Sequence, residues 1–399
     1  MKKEGKINYS EISARGRKKS RDFLFHGVKV YVMMSGGVDS SVAAGLLKKE
    51  GYDVTGVHMV CWQGKSCTAS DDLKDAERAA AVLNIPFLVW DLKKEYKRKV
   101  FDYMVSGYKS GITPNPDVMC NKEIKFGEFF KKARREGAEF VATGHYVCLR
   151  RKIIIVKKQI VNNKKEVFQL LEAKDKNKDQ SYFLWGIKPE YLKHCLFPVG
   201  GYLKSEIREM AKKMGLKNAD KKDSQGLCFV GKVNFQKFLG KQIKVKKGPV
   251  VNMEGKITGE HKGVDFYTIG QRHGIGIFGG GKSYFVYKKD KKKNILFVVP
   301  ENDRRLFAKE AILGKVNIFG DKEEVKRQEK GVEVLARVRY RQLKVSAIVL
   351  KGKGKWVLKF KKPIKFLVPG QSAVWYEKSG KMMGGGVIKK KIKKGKKLE

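Results

Sequence analysis

Acidic residues are scarce in this chain: 41 Asp+Glu stand against 88 Lys+Arg, a formal net charge of +47 over 399 residues. That imbalance disfavours cationic partners and favours polyanions, nucleic acid first among them. Part of the excess sits in lysine runs such as YKKDKKKN (287–294) and KKKIKKGKK (389–397), where solvent alone would accept it. Charge therefore does not say which nucleic acid. Long apolar runs are missing too. None approaches the roughly 20 residues a membrane span needs, which excludes a helical membrane anchor. No hydrophobic signal segment opens the chain. Residues 1–27 read instead as a basic arm, and residues 1–22 carry eight Lys/Arg and three Asp/Glu. Those acids argue against an organelle address, so a cytoplasmic location is expected. The six cysteines (Cys61, Cys67, Cys120, Cys148, Cys195 and Cys228) include no C-x-x-C pair and no histidine pair at finger spacing. That disfavours a zinc module, and the missing signal disfavours a disulfide framework.

What is present is 42% hydrophobic and 11% aromatic residues, enough for two or three packed domains. VKVYVMM (28–34), YDVTGVHMV (52–60), PFLVWDL (86–92) and AEFVATGHY (138–146) read as strands. SSVAAGLLKKEG (40–51) and DDLKDAERAAAVLNI (71–85) have helical spacing. Strand–helix–strand–helix–strand means an α/β fold on a parallel sheet. The helical signal fades after about residue 215, and from about residue 250 short β-runs alternate with Gly, Asn and Lys turns. The chain thus divides into the arm, a catalytic α/β domain over 28–223, a small central domain over 224–305, a C-terminal β-barrel over 306–391 and a basic tail over 392–399.

VMMSGGVDSS (32–41) joins the first strand to the first helix. A helix N-terminus offers unpaired N–H groups, and glycines let phosphate oxygens approach the backbone. Gly36 and Gly37 suit that job, and Ser35, Ser40 and Ser41 can add hydroxyl donors. Asp39 would repel a bare phosphate, so it holds magnesium or caps the helix. The loop contains no lysine, which separates it from the G-x-x-x-x-G-K-[ST] phosphate loop.

SGGVDSS resembles the pyrophosphate loop of the ATP pyrophosphatase superfamily. The loop alone leaves GMP, asparagine and NAD synthetases open beside tRNA-modifying enzymes. Further stretches narrow it: TPNPDVMCNKEIKFG (113–127), ATGHY (142–146), KDQSYFLW (178–185), DSQGLCFVG (223–231), YTIGQRHGIGI (267–277), RVRYRQ (337–342), PGQSAVWY (369–376) and GGGVI (384–388). In this order they are similar to the tRNA-specific 2-thiouridylases, over about residues 28–388. Two departures are the extra arm and an altered GIFGGGKSYFVY stretch (276–287).

The resemblance implies an ATP-dependent enzyme that replaces the C2 oxygen of a wobble uridine with sulfur. AMP transfer makes that oxygen a leaving group, and a cysteine persulfide supplies sulfur. Cys228 matches the persulfide carrier and Cys120 the nucleophilic partner, with a disulfide between them as a by-product. Asp117 matches a residue beside the base that acts as general base, with Asn115 and Pro116 lining the same pocket. Met33, Met34, Ser35, Gly36, Gly37, Val38, Asp39, Ser40, Met59 and Gly144 match the ATP site, and Gly144 would let ATP approach the fourth strand. His145, Lys178, Asp179, Gln180, Arg339, Tyr340 and Gln371 match tRNA contacts, His145 pointing toward RNA. Cys61, Cys67, Cys148 and Cys195 read as structural. The implied partners are tRNAs of the Lys, Glu and Gln type and a sulfur donor such as a cysteine desulfurase or relay protein. ATP and Mg2+ are the implied cofactors, a monomer is expected, and a cluster-free route is preferred to an iron–sulfur cluster, because spacing singles out no third cysteine.

Overall fold

The computed structural model describes residues 25–62, 69–157, 162–223, 226, 228–229, 235–240, 242–243, 245–278 and 283–392. Most of the basic arm, Cys67 and the tail beyond residue 392 lie outside the described residues. The first strand, β1 (Lys29–Met33), is apolar and buried on both faces, as the central strand of a covered parallel sheet must be. Around it lie β2 (Asp53–Val60), β3 (Phe87–Asp91) and β4 (Phe140–Thr143), all parallel. Next come β5 (Val147–Lys157) and β6 (Asn162–Glu172), an antiparallel hairpin apart from that sheet, and β7 (Cys195–Leu196), a short fifth strand on β4.

The sheet runs β3-β2-β1-β4-β7, so the chain reverses direction between β1 and β4. At such a reversal the loops leaving the two strands diverge and open a crevice at their carboxyl ends. Helix α1 (Val38–Lys49) covers one face, and its Val38, Val42 and Ala43 share a core with Ile207 and Ala211 of the helix Lys204–Lys213. Helix α2 (Ala69–Val82) buries Ala76, Ala79 and Ala80 in that same core.

The central domain is a four-stranded sheet of β8 (Gly248–Val251), β9 (Ile257–His261), β10 (Tyr284–Asp290) and β11 (Ile295–Pro300). The last domain closes β12 (Phe307–Ile318), β13 (Val332–Arg337), β14 (Val345–Gly352), β15 (Lys355–Lys365), β16 (Ser372–Tyr376) and β17 (Met382–Ile392) into a barrel, which leaves no free edge. The architecture expected from the pattern is therefore present. Leu239 and Phe266 of the central domain and Val374 and Tyr376 of the barrel join one core with Phe126, Tyr182 and Leu184 of the α/β domain. One continuous apolar junction thus holds the three domains together.

The elements not foreseen include the β5–β6 hairpin, β7 and the helix Lys322–Lys330. The β5–β6 hairpin has lysines mixed among its isoleucines, which masks alternation. Strand β7 has two residues, too few for a periodic signal. The helix Lys322–Lys330 interrupts the barrel; its Asp321 caps it by accepting from the Glu324 N–H at 3.0 Å.

Candidate active site

The loop after β1 lies at the sheet's point of reversal. Gly36 has φ +77, and a Cβ there would stand 2.2 Å from the Asp72 carbonyl oxygen. Only glycine fits both conditions. Gly36→Ala is expected to cost about 1–3 kcal/mol of stability, measured by denaturant unfolding, and to weaken nucleotide binding in calorimetry. An alanine variant with unchanged stability and affinity would remove the loop's tight packing from the account.

Gly37 is the N-cap of α1 and makes no side-chain cap, so the helix's first amides have no side-chain acceptor there. The hydroxyls expected to reach a phosphate turn inward: Ser40 Oγ donates to the Gly37 carbonyl at 3.0 Å and Ser41 Oγ at 3.2 Å. The Ser35 N–H donates to Ser40 Oγ at 3.2 Å, and this closes the loop on itself. Val38 is buried, and so are Met33 and Met34; their backbone leads into the loop. The Met34 carbonyl accepts from His58 Nδ1 at 2.9 Å, which fixes the Nδ1–H tautomer. Met59 is buried in the core that also contains Cys61 and Trp90.

Asp39 does not cap α1. Its Oδ1 accepts from Tyr146 Oη at 2.7 Å and from Lys204 Nζ at 2.7 Å. Burial, then the Asp39 charge, raise the Tyr146 hydroxyl well above its ordinary range, so it stays a donor. The loop lacks a lysine of its own, but two arrive from elsewhere. Lys204 bridges Asp39 to Asp223 at 2.8 Å. Lys221 donates to the Gly36 carbonyl at 3.3 Å and pairs with Asp72 and Asp75 at 2.7 and 2.6 Å. Among 88 Lys+Arg, no local signal distinguishes these two.

Gly144 does not face open space for ATP: a Cβ there would stand 2.6 Å from the Asp39 carbonyl carbon and the Ser40 nitrogen. Its lack of a side chain lets the loop after β4 pack on the start of α1. His145, matched to a tRNA contact, is held inside the protein. It is buried, with Nδ1 at 2.8 Å from Thr143 Oγ1 and Nε2 at 3.4 Å from Lys125 Nζ. Burial, then the Lys125 charge, push its pKa well below the usual range, so the ring is neutral. Nε2 accepts from the ammonium and Nδ1 carries the proton.

From there the strip continues to the cysteines. Asn115 caps the short helix Pro116–Met119 by accepting from the Val118 N–H at 3.2 Å. A π-helical segment, Cys120–Phe129, follows directly. Cys120 is fully buried, and its Sγ lies 3.3 Å from Cys228 Sγ, 108 residues later in the chain. The Cys228 N–H donates to Asp117 Oδ1 at 3.3 Å, and the Cys228 carbonyl accepts from Tyr96 Oη at 2.7 Å. Phe229 has φ +63, a left-handed backbone that a bulky residue adopts only under constraint. Burial, then the hydrogen bond to Cys228, raise the Cys120 thiol well above its ordinary value. The Cys228 thiol is lowered, first by the Cys120 hydrogen bond and, against burial, by the Lys125 charge. The hydrogen bond between the two sulfurs therefore runs from the Cys120 thiol to Cys228. Burial also raises Asp117, against the Cys228 N–H and the Lys125 charge, which suits a group that exchanges a proton.

Asn115, Pro116 and Asp117 form one wall of a 610 Å³ cleft. Tyr182 and Phe183, Phe266 of the central domain, and Tyr340 and Gln371 of the barrel are among its other lining residues. Gln371 Nε2 donates to the Thr113 carbonyl at 2.9 Å, and Arg339 lies over the Phe366 ring at 4.7 Å. Asp179, matched to a tRNA contact, is engaged inside the protein. It is 3% exposed, takes the Ser181 hydroxyl at 2.9 Å and pairs with Arg337 of the barrel. Lys178 pairs with Asp223, and Gln180 Oε1 accepts from the Tyr146 N–H at 2.9 Å. Cys61 and Cys195 are buried and Cys148 half-buried. Among the described residues no group of three or more His, Cys, Asp or Glu side chains comes together to hold a metal ion.

A switch-point phosphate loop, a cysteine pair and a three-domain cleft define a pyrophosphate-loop α/β enzyme. Family models agree domain by domain. They match a tRNA methyl transferase HUP domain at residues 28–232, a tRNA methyl transferase PRC-barrel domain at 236–300 and an aminomethyltransferase β-barrel domain at 308–388. The chain is 42% identical over 377 residues to the tRNA-specific 2-thiouridylase MnmA of Listeria monocytogenes, covering 93% of this chain and 97% of that protein. It is 42% identical over 381 residues to the protein of that name from Bacillus licheniformis, with the same coverages. The Streptococcus thermophilus protein is 42% identical over 378 residues, covering 92% and 97%. The chain belongs to the tRNA-specific 2-thiouridylase family.

Proposed function

We propose that this enzyme thiolates C2 of the wobble uridine in tRNA, using ATP and a persulfide carried on Cys228. The observation that carries the reading is the 3.3 Å approach of Cys228 Sγ to Cys120 Sγ, beside Asp117 on the wall of the cleft. A uridine turned out of the anticodon loop enters that cleft between aromatic rings. Its C2 oxygen attacks the α-phosphorus of ATP, and pyrophosphate leaves over the first amides of α1. Lys204 and Lys221 offset the phosphate charge there. Magnesium would arrive on the ATP phosphates and neutralise them, because Asp39 Oδ1 already accepts from Tyr146 and Lys204.

The terminal sulfur of the Cys228 persulfide then adds to C2. Cys120 attacks Cys228 Sγ and breaks the S–S bond of the persulfide. Its thiol proton passes toward Asp117, AMP departs with the former C2 oxygen, and the new sulfur stays on C2. The residual Cys120–Cys228 disulfide needs two electrons from an external dithiol before the next turnover. The substrates are tRNAs of the Lys, Glu and Gln type, and a cysteine desulfurase or relay protein reloads Cys228. We take the enzyme to be cytoplasmic and monomeric.

The test is nucleoside mass spectrometry of such a tRNA after anaerobic incubation with the full chain, Mg-ATP, a cysteine desulfurase and cysteine. The expected result is 2-thiouridine, formed only with ATP. AMP and pyrophosphate without thiolated base would keep the ATP site and overturn the sulfur route.

A further inference from the structure

Lys125 has no role in the reaction as laid out above, yet it lies among its reacting sulfurs. Its amine is 3.4 Å from His145 Nε2 and 5.8 Å from the ring centroid of Phe229, the residue after Cys228. Around it stand Cys228, Cys120, Asp117 and Cys61. The neutral His145 accepts from it, and the aromatic face of Phe229 favours a cation. The backbone explains how it gets there. Lys125 and Cys120 are five residues apart on the π-helical segment. In an α-helix that spacing would point the two side chains about 140° apart. The wider turn of a π-helix, closed by i→i+5 hydrogen bonds, brings positions five apart onto one face. An α-helical reading of CNKEIKFG would therefore turn Lys125 away from the sulfurs.

We propose that Lys125 is the counter-cation of the Cys228 sulfur: sealed between His145 and Phe229, it keeps that sulfur anionic while Cys120 retains its proton. Burial alone would strip the lysine of its proton, but Cys228, Cys120, Asp117 and Cys61 more than offset this and raise its pKa. The charges facing Cys228 are Lys125 on one side and Asp117 on the other, with Cys120 donating a hydrogen bond. The Tyr96 hydroxyl donates to the Cys228 carbonyl rather than to the sulfur. Lys125 is the one cation of that set, so removing it leaves Asp117 unopposed. An anionic sulfur is what accepts sulfur from a donor, and in this the inference rests on the proposed function.

The test is alkylation of Cys228 by iodoacetamide across a pH series, read by mass spectrometry of its peptide in the anaerobically reduced full chain. Reactivity rises as pH passes through the Cys228 pKa. Lys125→Met is expected to move that rise to higher pH by a unit or more, an about tenfold slower reaction at neutral pH. Lys125→Arg, which keeps the charge, is expected to follow wild type. A wild-type curve for Lys125→Met, or an equal shift in both variants, would overturn the proposal. So would a wild-type midpoint at or above that of free cysteine, a result that needs no variant to fold. No tRNA or ATP takes part, so failure here is distinct from failure of the thiolation reading.

Discussion

Cys228→Ala is expected to lower 2-thiouridine formation by about a thousandfold or more, because in the proposed reaction it carries the transferred atom, which positioning alone cannot replace. Pyrophosphate release that depends on tRNA should persist, since the proposed reaction has the loop after β1, Lys204 and Lys221 act on a different bond. Cys120→Ala should also abolish thiolation, for a different reason: Cys228 would load sulfur normally and fail to hand it on. Intact-mass measurement after incubation with a cysteine desulfurase separates the two. One extra sulfur is expected on the Cys120 variant and none on the Cys228 variant. Thiolation surviving in both would return these cysteines to packing. Loss of pyrophosphate release along with thiolation would show that the sulfur and nucleotide steps are not separable.

Arg337→Met is expected to destabilise the protein by about 3–5 kcal/mol, the cost of leaving a buried carboxylate without its partner. Arg337 and Asp179 have side chains 7% and 2% exposed. The guanidinium also donates to Tyr376 Oη at 2.9 Å and Ser181 Oγ at 3.1 Å. The pair joins the barrel to the α/β domain beside Tyr182 Oη, which donates to the Ser372 carbonyl at 3.0 Å. Its loss should loosen the domain junction that forms the cleft. Denaturant unfolding followed by tryptophan fluorescence measures it. The double variant Asp179→Asn, Arg337→Met should be less damaged than Arg337→Met, because no charge is then stranded. A loss below about 1 kcal/mol for Arg337→Met would mean water or Lys344 replaces the guanidinium.

The α/β domain was legible because its cues are local. An apolar β-run, then S-G-G, then a helical period, specifies strand, turn and helix within residues 28–49. The observed β1 and α1 match that reading to within two residues. Asn115 and Pro116, read only as lining a base pocket, also start a helix: Asn115 caps it and Pro116 is its first residue. The β5–β6 hairpin and β7 were missed because their pairing comes from partners the local pattern does not name. The internal contacts of Gly144, His145 and Asp179 could not be read from motif position for the same reason. Each sits in a recognisable stretch, but its side chain, or the lack of one, serves a contact with another element.

The order of strands and helices, the loop that ends β1, the barrel's β-rich composition and the basic surface were determined by the sequence itself. These rest on backbone dihedrals, periodicity and solvation, which act over a few residues. Which cysteines face each other, which lysines close on the loop after β1 and where the cleft lies were decided by the tertiary structure alone. Lys204 meets Asp39 across 165 residues and Arg337 meets Asp179 across 158. Charge effects of this kind depend on distance and burial, and both are properties of the packed chain, not of any stretch within it.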